Sequence, residues 1–168
     1  RKESSAASDV YKRQIMKLTL LGTGCPSIDY KRCGSANLIC SKKAKILIDC
    51  GSGVTQRLNQ SGHSLAEIDA LLLTHLHTDH VIDLYQLIIS SWHSDRDAIW
   101  KIYGPKGTKK FVDQIFLAWK NERKLRISYE KRKSIKALNY KVYEFNKTGS
   151  INIKDIKFKY FEVDHKPV

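Results

Sequence analysis

Short apolar runs, separated by polar segments that contain glycine, recur along most of this chain. Runs rich in isoleucine, leucine and valine with such boundaries are typical of β-strands. They predict strands over residues 17–21, 36–40, 45–49, 70–74, 99–103, 141–145 and 157–163. Apolar residues at helical spacing predict helices over residues 53–60, 81–91 and 109–120. Strands and helices mixed in this way predict an α/β sandwich with its active site at the ends of strands.

The strand predicted at residues 70–74 leads directly into the sequence HLHTDH, which supplies His75, His77, Asp79 and His80. Imidazole is a common zinc ligand, and alternate residues of an extended chain share one side, so His75 and His77 can hold one ion. Asp79 and His80 follow where the chain turns, and they can reach a second ion or a bound water. A solvated polar strand end is the alternative, but this pattern arises by chance about once in a thousand such chains.

Residues on both sides of this motif resemble the metallo-β-lactamase superfamily. Its hydrolases carry HxHxDH after a core strand, an aspartate and glycine turn upstream, and a single histidine downstream. Here residues 46–53 read as a buried strand that ends in Asp49 and a glycine turn, and residues 161–165 end in His165. The resemblance implies the N-terminal portion of an αββα sandwich that holds two zinc ions.

The same resemblance implies a role for each candidate residue. The first zinc ion would be held by His75, His77 and His165, and the second by Asp79 and His80. Asp79 would also be the catalytic residue, because it would orient a hydroxide or accept its proton. Asp49 would be the acid that orients a ligand histidine. The alternative for Asp49 is an aspartate that caps a turn.

A closer resemblance is to ribonuclease Z and its phosphodiesterase relatives. It is carried by residues 20–27, by Arg32 with residues 35–39, and by residues 102–107. It implies a zinc-dependent phosphodiesterase or endoribonuclease that processes tRNA 3′ ends, leaves a 3′-hydroxyl and a 5′-phosphate, and forms homodimers. Zinc brings the pKa of its bound water near neutrality, so hydroxide can attack a phosphodiester at ordinary pH.

The two ends of the chain carry separate expectations. Residues 1–15 are polar and unpatterned, and we expect a non-native or disordered leader ahead of a domain over residues 16–168. In the family that this chain resembles, a bridging aspartate and another histidine follow the position of His165. We therefore expect the domain to be incomplete at its C-terminus. Because ligand count sets metal affinity, the chain should bind about one zinc ion tightly and hydrolyse poorly.

The chain is strongly basic, with a formal net charge of +13. Such an excess favours a polyanionic partner such as RNA, in particular a tRNA precursor if the resemblance holds. Basic residues are densest over residues 120–136, where the candidate RNA contacts are Arg123, Lys124, Arg126 and Arg132. A solvated basic face in a lysine-rich protein is the alternative.

Membrane insertion and secretion are not indicated by the sequence. No apolar stretch reaches the roughly 20 residues that a membrane helix requires, and the first residues lack the apolar centre of a secretion signal. We therefore expect a cytoplasmic protein with no membrane partner.

Two other functions remain open. A small-molecule hydrolase of the same fold would act on a cyclic nucleotide, another small phosphodiester, a lactone or a thioester. A non-catalytic zinc-binding fragment is the second. Asp79 speaks against a purely structural site, because cysteine and histidine dominate those sites.

Overall fold

The computed structural model describes residues 16–165. The expected leader at residues 1–15 lies outside the described residues.

A six-stranded mixed sheet forms the centre of the fold, with its strands in sequence order. These strands are β1 (Met16–Gly22), β2 (Ala36–Ser41), β3 (Lys45–Ile48), β4 (Ala70–Leu72), β5 (Trp100–Gly104) and β6 (Tyr140–Glu144). Strand β2 pairs antiparallel with both β1 and β3, whereas β3, β4, β5 and β6 pair in parallel. A second, antiparallel sheet pairs β7 (Thr148–Ile153) with β8 (Ile156–Phe161).

Helices connect the parallel strands. They are α1 (Val54–Gln60), α2 (Thr78–Val81), α3 (Leu84–His93), α4 (Thr108–Ala118) and α5 (Lys120–Tyr129), with 3₁₀ turns at Leu65–Glu67 and Lys136–Leu138. The helix expected over residues 81–91 is confirmed as α3, shifted by two to three residues, and the short helix α2 precedes it as a separate element. Between them Asp83 turns toward α1: its backbone N–H donates to the Cys50 carbonyl, and its carboxylate accepts from the Thr55 backbone N–H.

Two of the longer elements, α5 and β7, were not predicted from the sequence. The basic composition of α5 hides its periodicity, and within residues 16–165 no residue of this helix is buried. Strand β7 is mostly polar because only one of its residues, Ile153, is fully buried. Both elements lie at the surface, where sequence periodicity carries the least information.

Side chains of the main sheet pack on both of its faces. Successive residues of a strand point to opposite faces, so Ile46 and Leu47 of β3 enter different cores. Leu47 joins the larger core, which includes Val54 of α1, Leu87 of α3 and Val112 of α4. Ile46 joins a smaller core with residues of β7 and β8, including Ile153 and Ile156. The described residues therefore form three layers, with helices, the main sheet and the second sheet in that order.

The carboxyl ends of the parallel strands meet at one edge of the main sheet, where loops of α/β proteins commonly form sites. Asp49 follows β3 there, and the motif loop, defined here as residues 73–77, follows β4. Among residues 16–165, no helix has the length and apolar character to cross a membrane.

Candidate metal centre

Three of the predicted ligands converge at this edge. One ligand atom each from His75, His77 and His165 can be chosen so that all lie within 4.8 Å of one another. The ring centroids of His75 and His77 are 4.6 Å apart, and those of His77 and His165 are 4.9 Å apart. Residues separated by about ninety positions in sequence thus meet at one point. This is the cluster expected for the first metal ion.

The backbone that carries these histidines differs from the prediction. Strand β4 ends at Leu72, so His75 and His77 lie on the motif loop and not on a strand. Strand β8 likewise ends at Phe161, and His165 lies on the segment that follows. The imidazole rings therefore meet through the segments that follow β4 and β8, and not through the strands themselves.

The environment of His75 suits a metal ligand. Burial, together with the neighbouring imidazoles of His80 and His77, lowers the pKa of His75, which favours the neutral form that binds metals. Its Nε2 atom is buried and has no hydrogen-bond partner among the described residues. This buried nitrogen belongs to a ring that packs against those of His77 and His165, and a metal ion would supply the partner that it lacks in this part of the chain. The residues present therefore fit a metal ion held by three histidines.

Asp49 lies beneath this cluster, with only 3% of its surface exposed. Its carboxylate lies 2.7 Å from Nδ1 of His80 and accepts a 2.8 Å hydrogen bond from the backbone N–H of Thr74. The residue has φ 61°, in the left-handed region that few non-glycine residues adopt. This geometry is the one expected for an acid that orients a ligand histidine.

Thr74 was not singled out from the sequence, although it directly precedes the motif. Its hydroxyl lies 2.9 and 3.0 Å from the two carboxylate oxygens of Asp49 and 3.0 Å from Nδ1 of His75. The sequence offered one indication of this role, because Thr74 lies at the predicted end of a strand, directly before the candidate ligand His75.

Asp79 and His80, expected at a second ion, lie beside the cluster. The His80 ring centroid is 4.0 Å from that of His75, and Nε2 of His80 is 3.5 Å from a carboxylate oxygen of Asp79. The side chain of His80 is 19% exposed and that of Asp79 is 11% exposed, so both are shielded from solvent without being fully buried. This pair adds an oxygen and a nitrogen donor next to the three-histidine cluster.

Backbone contacts hold α2, which carries Asp79 and His80, against the loop after β3. The backbone N–H of Cys50 donates to the His80 carbonyl over 2.7 Å. A Cβ atom added to Gly51 would lie 2.1 Å from the carbonyl oxygen of Asp79 and 2.6 Å from the backbone of Gly34. Glycine at position 51 is therefore required for these three segments to approach one another.

The predicted RNA contacts lie mainly on α5, and the arginines among them have partners within the chain. Arg126 pairs with Glu122 and with Glu130, and Arg132 pairs with Glu130 over 3.1 Å. Arg123 donates to the Phe116 carbonyl and lies 4.9 Å from the centre of that ring. The remaining candidate, Lys124, is exposed. None of these contacts reaches the histidine cluster.

A largely apolar groove of about 580 Å³ opens beside the motif. It is lined by Leu76 and Thr78, which alternate with the candidate ligands, and by Arg126. The rings of Tyr85 and Trp119 stack in this groove with centroids 5.2 Å apart. The groove places aromatic surface close to the candidate metal centre.

Solved structures share this fold. The metallo-β-lactamase fold protein YhfI from Bacillus subtilis aligns with a TM-score of 0.61 at 20% identity, over 84% of this chain and 50% of that one. The short form of human tRNase Z aligns with a TM-score of 0.59 at 26% identity, over 76% of this chain and 44% of that one.

Curated relatives give the same result. Ribonuclease Z from Mycobacterium marinum is 33% identical over 158 residues, covering 92% of this chain and 56% of the relative. Ribonuclease Z from Mycobacterium bovis is 32% identical over 157 residues, with the same coverage. The chain thus spans about half the length of the curated relatives it matches.

The fold and the relatives together define a metallo-β-lactamase fold protein related to ribonuclease Z. Both resemblances expected from the sequence are confirmed. The family model described as "Anti-Pycsar protein Apyc1" matches residues 16–168, and the chain belongs to this family.

Proposed function

We propose that this chain carries the first metal site of a zinc-dependent phosphodiesterase. The observation that supports this most is the convergence of His75, His77 and His165. Three protein ligands with an open fourth position are typical of catalytic zinc sites. Bound there, zinc would supply Lewis-acid chemistry, because it lowers the pKa of water and offsets negative charge on a phosphodiester.

The other polar residues of the site would prepare the reaction. Asp79 would orient the attacking water and accept its proton, as a general base within hydrogen-bond reach does. His80 would offer Nε2 to a second ion, because its Nδ1 faces Asp49. Asp49 would hold His80 in this orientation.

RNA is the first candidate substrate. The curated relatives are ribonuclease Z proteins, and the net charge of +13 favours a polyanion. A tRNA precursor would be cut to leave a 3′-hydroxyl and a 5′-phosphate. Lys124 would contact RNA directly, whereas Arg123, Arg126 and Arg132 would first have to leave their partners. A homodimer and a cytoplasmic location remain predictions.

A small cyclic phosphodiester is the second candidate. Two observations favour it. The matching family model is described as an anti-Pycsar protein and not as a ribonuclease Z, so the family description does not itself indicate an RNA substrate. Three of the four basic residues expected to bind RNA are engaged within the chain. A substrate of mononucleotide size needs no extended basic surface, so these internal pairs would not hinder its binding.

Zinc binding and hydrolysis, measured on one preparation, test the proposal. We expect one tightly bound zinc ion and weak hydrolysis of bis(4-nitrophenyl) phosphate that chelation abolishes and zinc restores. Both should be lost in His77→Ala and kept in His63→Ala, a histidine outside the cluster. Zinc binding without any hydrolysis would support the non-catalytic fragment, and hydrolysis that survives His77→Ala would contradict the proposal.

The two substrate classes are separated by direct competition. A tRNA precursor should be cut faster than 3′,5′-cyclic nucleotides if RNA is the substrate, and its KM should rise steeply with salt. Lys124→Glu should then raise KM for RNA alone. Preference for the cyclic nucleotide, with no effect of Lys124→Glu, would favour the second candidate.

A further inference from the structure

The hydroxyl of Thr74 bridges the buried acid and a ligand of the cluster. It lies 2.9 and 3.0 Å from the two carboxylate oxygens of Asp49 and 3.0 Å from Nδ1 of His75. Thr74 also donates its backbone N–H to Asp49 over 2.8 Å. One residue is thus held at two points by Asp49 while its hydroxyl faces the imidazole of His75.

The number of available hydrogens determines which group donates in each of these hydrogen bonds. A threonine hydroxyl has one hydrogen to donate, and a carboxylate only accepts. The hydroxyl hydrogen of Thr74 therefore goes to Asp49, which leaves an oxygen lone pair facing His75. To make a hydrogen bond there, Nδ1 of His75 must carry the proton.

The opposite nitrogen of His75 is then free. In the Nδ1–H tautomer, Nε2 keeps its lone pair, which is the form that coordinates a metal ion. This Nε2 atom is the one that is buried without a hydrogen-bond partner in the described part of the chain. The hydrogen bond at Nδ1 and the Nε2 atom of His75, unpartnered among residues 16–165, are both consistent with the Nδ1–H tautomer.

We propose that Thr74 is a positioning residue that holds His75 as the Nδ1–H tautomer, with Nε2 directed at the metal site. Asp49 thereby orients two imidazoles, His80 directly and His75 through the Thr74 hydroxyl. The inference rests on the proposed metal site for its purpose. The tautomer itself exists without metal and is measured separately.

The side chain of threonine suits this task. Its branched Cβ restricts rotation about χ1, so the hydroxyl loses little freedom when it bridges the two groups. Residue 74 is exposed as a whole, so replacing its hydroxyl should not open a cavity in the core. Thr74→Val removes the hydroxyl at nearly constant shape, and Thr74→Ser retains it. Both variants keep the backbone N–H bond to Asp49.

Nitrogen-15 NMR of the metal-free chain at about pH 8 reads the tautomers of His75 and His80. We expect Nδ1–H for both residues in the wild type and in Thr74→Ser. In Thr74→Val, His75 should become a tautomer mixture while His80, bound directly to Asp49, stays unchanged. His80 is therefore the internal control for an intact site.

Zinc affinity, measured by competition with a chromophoric chelator, gives the second readout. Thr74→Val should weaken zinc binding by about 10-fold, in the range known for groups that orient metal ligands, and Thr74→Ser should restore most of it. A wild-type His75 in the Nε2–H form would overturn the inference, even if the valine variant does not fold. Equal effects of valine and serine on the tautomer of His75 and on affinity would also overturn it. A wild type with the Nδ1–H tautomer but no zinc binding would support Thr74 and refute the metal site.

Discussion

The candidate metal centre and helix α5 hold their polar side chains in opposite ways. At the centre, Asp49 is buried and serves two neighbours, and one left-handed residue and one glycine permit the close approach of the loops. On α5, Arg126 lies at the surface and pairs with Glu130, the residue directly after the helix. The first arrangement positions groups at the cost of backbone strain, whereas the second balances charge in solvent. The histidine cluster contains a buried nitrogen without a hydrogen-bond partner among the described residues, whereas the arginines near α5 already have partners. This difference separates a candidate binding site from a surface ion-pair network.

The steric requirement at Gly51 should give the largest effect on stability. Gly51→Ala places a methyl group against the backbone of Asp79 and Gly34, and we expect a loss of about 3 kcal/mol in the free energy of unfolding. Chemical denaturation measures this loss, and zinc affinity should fall with it.

Gly62→Ala is the matched control. Gly62 has φ 79°, but in the described structure nothing lies within 4 Å of an added Cβ. Its substitution should cost about 1 kcal/mol through backbone strain alone and leave zinc affinity unchanged. Equal losses for the two variants would show that the loops at Gly51 are not closely packed.

The carboxylate of Asp49 should have the next largest effect. Asp49→Asn keeps the shape but replaces one accepting oxygen by a donor, so it cannot accept from both His80 and Thr74 as before. We expect zinc affinity to fall about 10- to 100-fold in a chelator competition. Asp97→Asn, at an exposed acid outside the site, should have no effect. A folded Asp49→Asn protein with wild-type affinity would assign Asp49 to the turn alone.

The surface network should give the smallest effect. A hydrogen bond from His93, with others from Arg132 and Arg126, lowers the pKa of Glu130 to about 2. Because the folded pKa lies below the unfolded one, this contribution to stability is present above about pH 4.5 and disappears as the pH falls toward 2. The Tm of Glu130→Gln should therefore be slightly lower than that of the wild type at pH 7, and the difference should shrink in acid. A constant difference across this range would exclude the charge as its cause.

The sequence predicted the histidine cluster better than it predicted the surface. His75 and His77 share one short motif, and Asp49 and His165 each end an apolar run, so their meeting at one sheet edge followed from strand pattern and family resemblance. Thr74 could not be assigned in this way. Its role depends on the turn that carries its hydroxyl back to Asp49, and the strand was expected to continue through it.

The basic stretch illustrates the limit of composition. Its lysines and arginines predicted an RNA surface, but whether an arginine is available depends on which acids lie one helical turn away. Glu122 and Glu130 stand four residues before and after Arg126, and both pair with it once α5 forms. Because α5 itself was not predicted, these pairs could not be predicted either.

Zinc stoichiometry and affinity of the wild type and of His165→Ala test the central claim most directly. His165 lies on the segment that follows β8 of the second sheet, so it reports whether this segment and the motif loop complete one site. We expect one tightly bound zinc ion per chain in the wild type and in His63→Ala, and a loss of at least about 100-fold in affinity in His165→Ala. Zinc binding that is unchanged in a folded His165→Ala protein would contradict a site made by His75, His77 and His165.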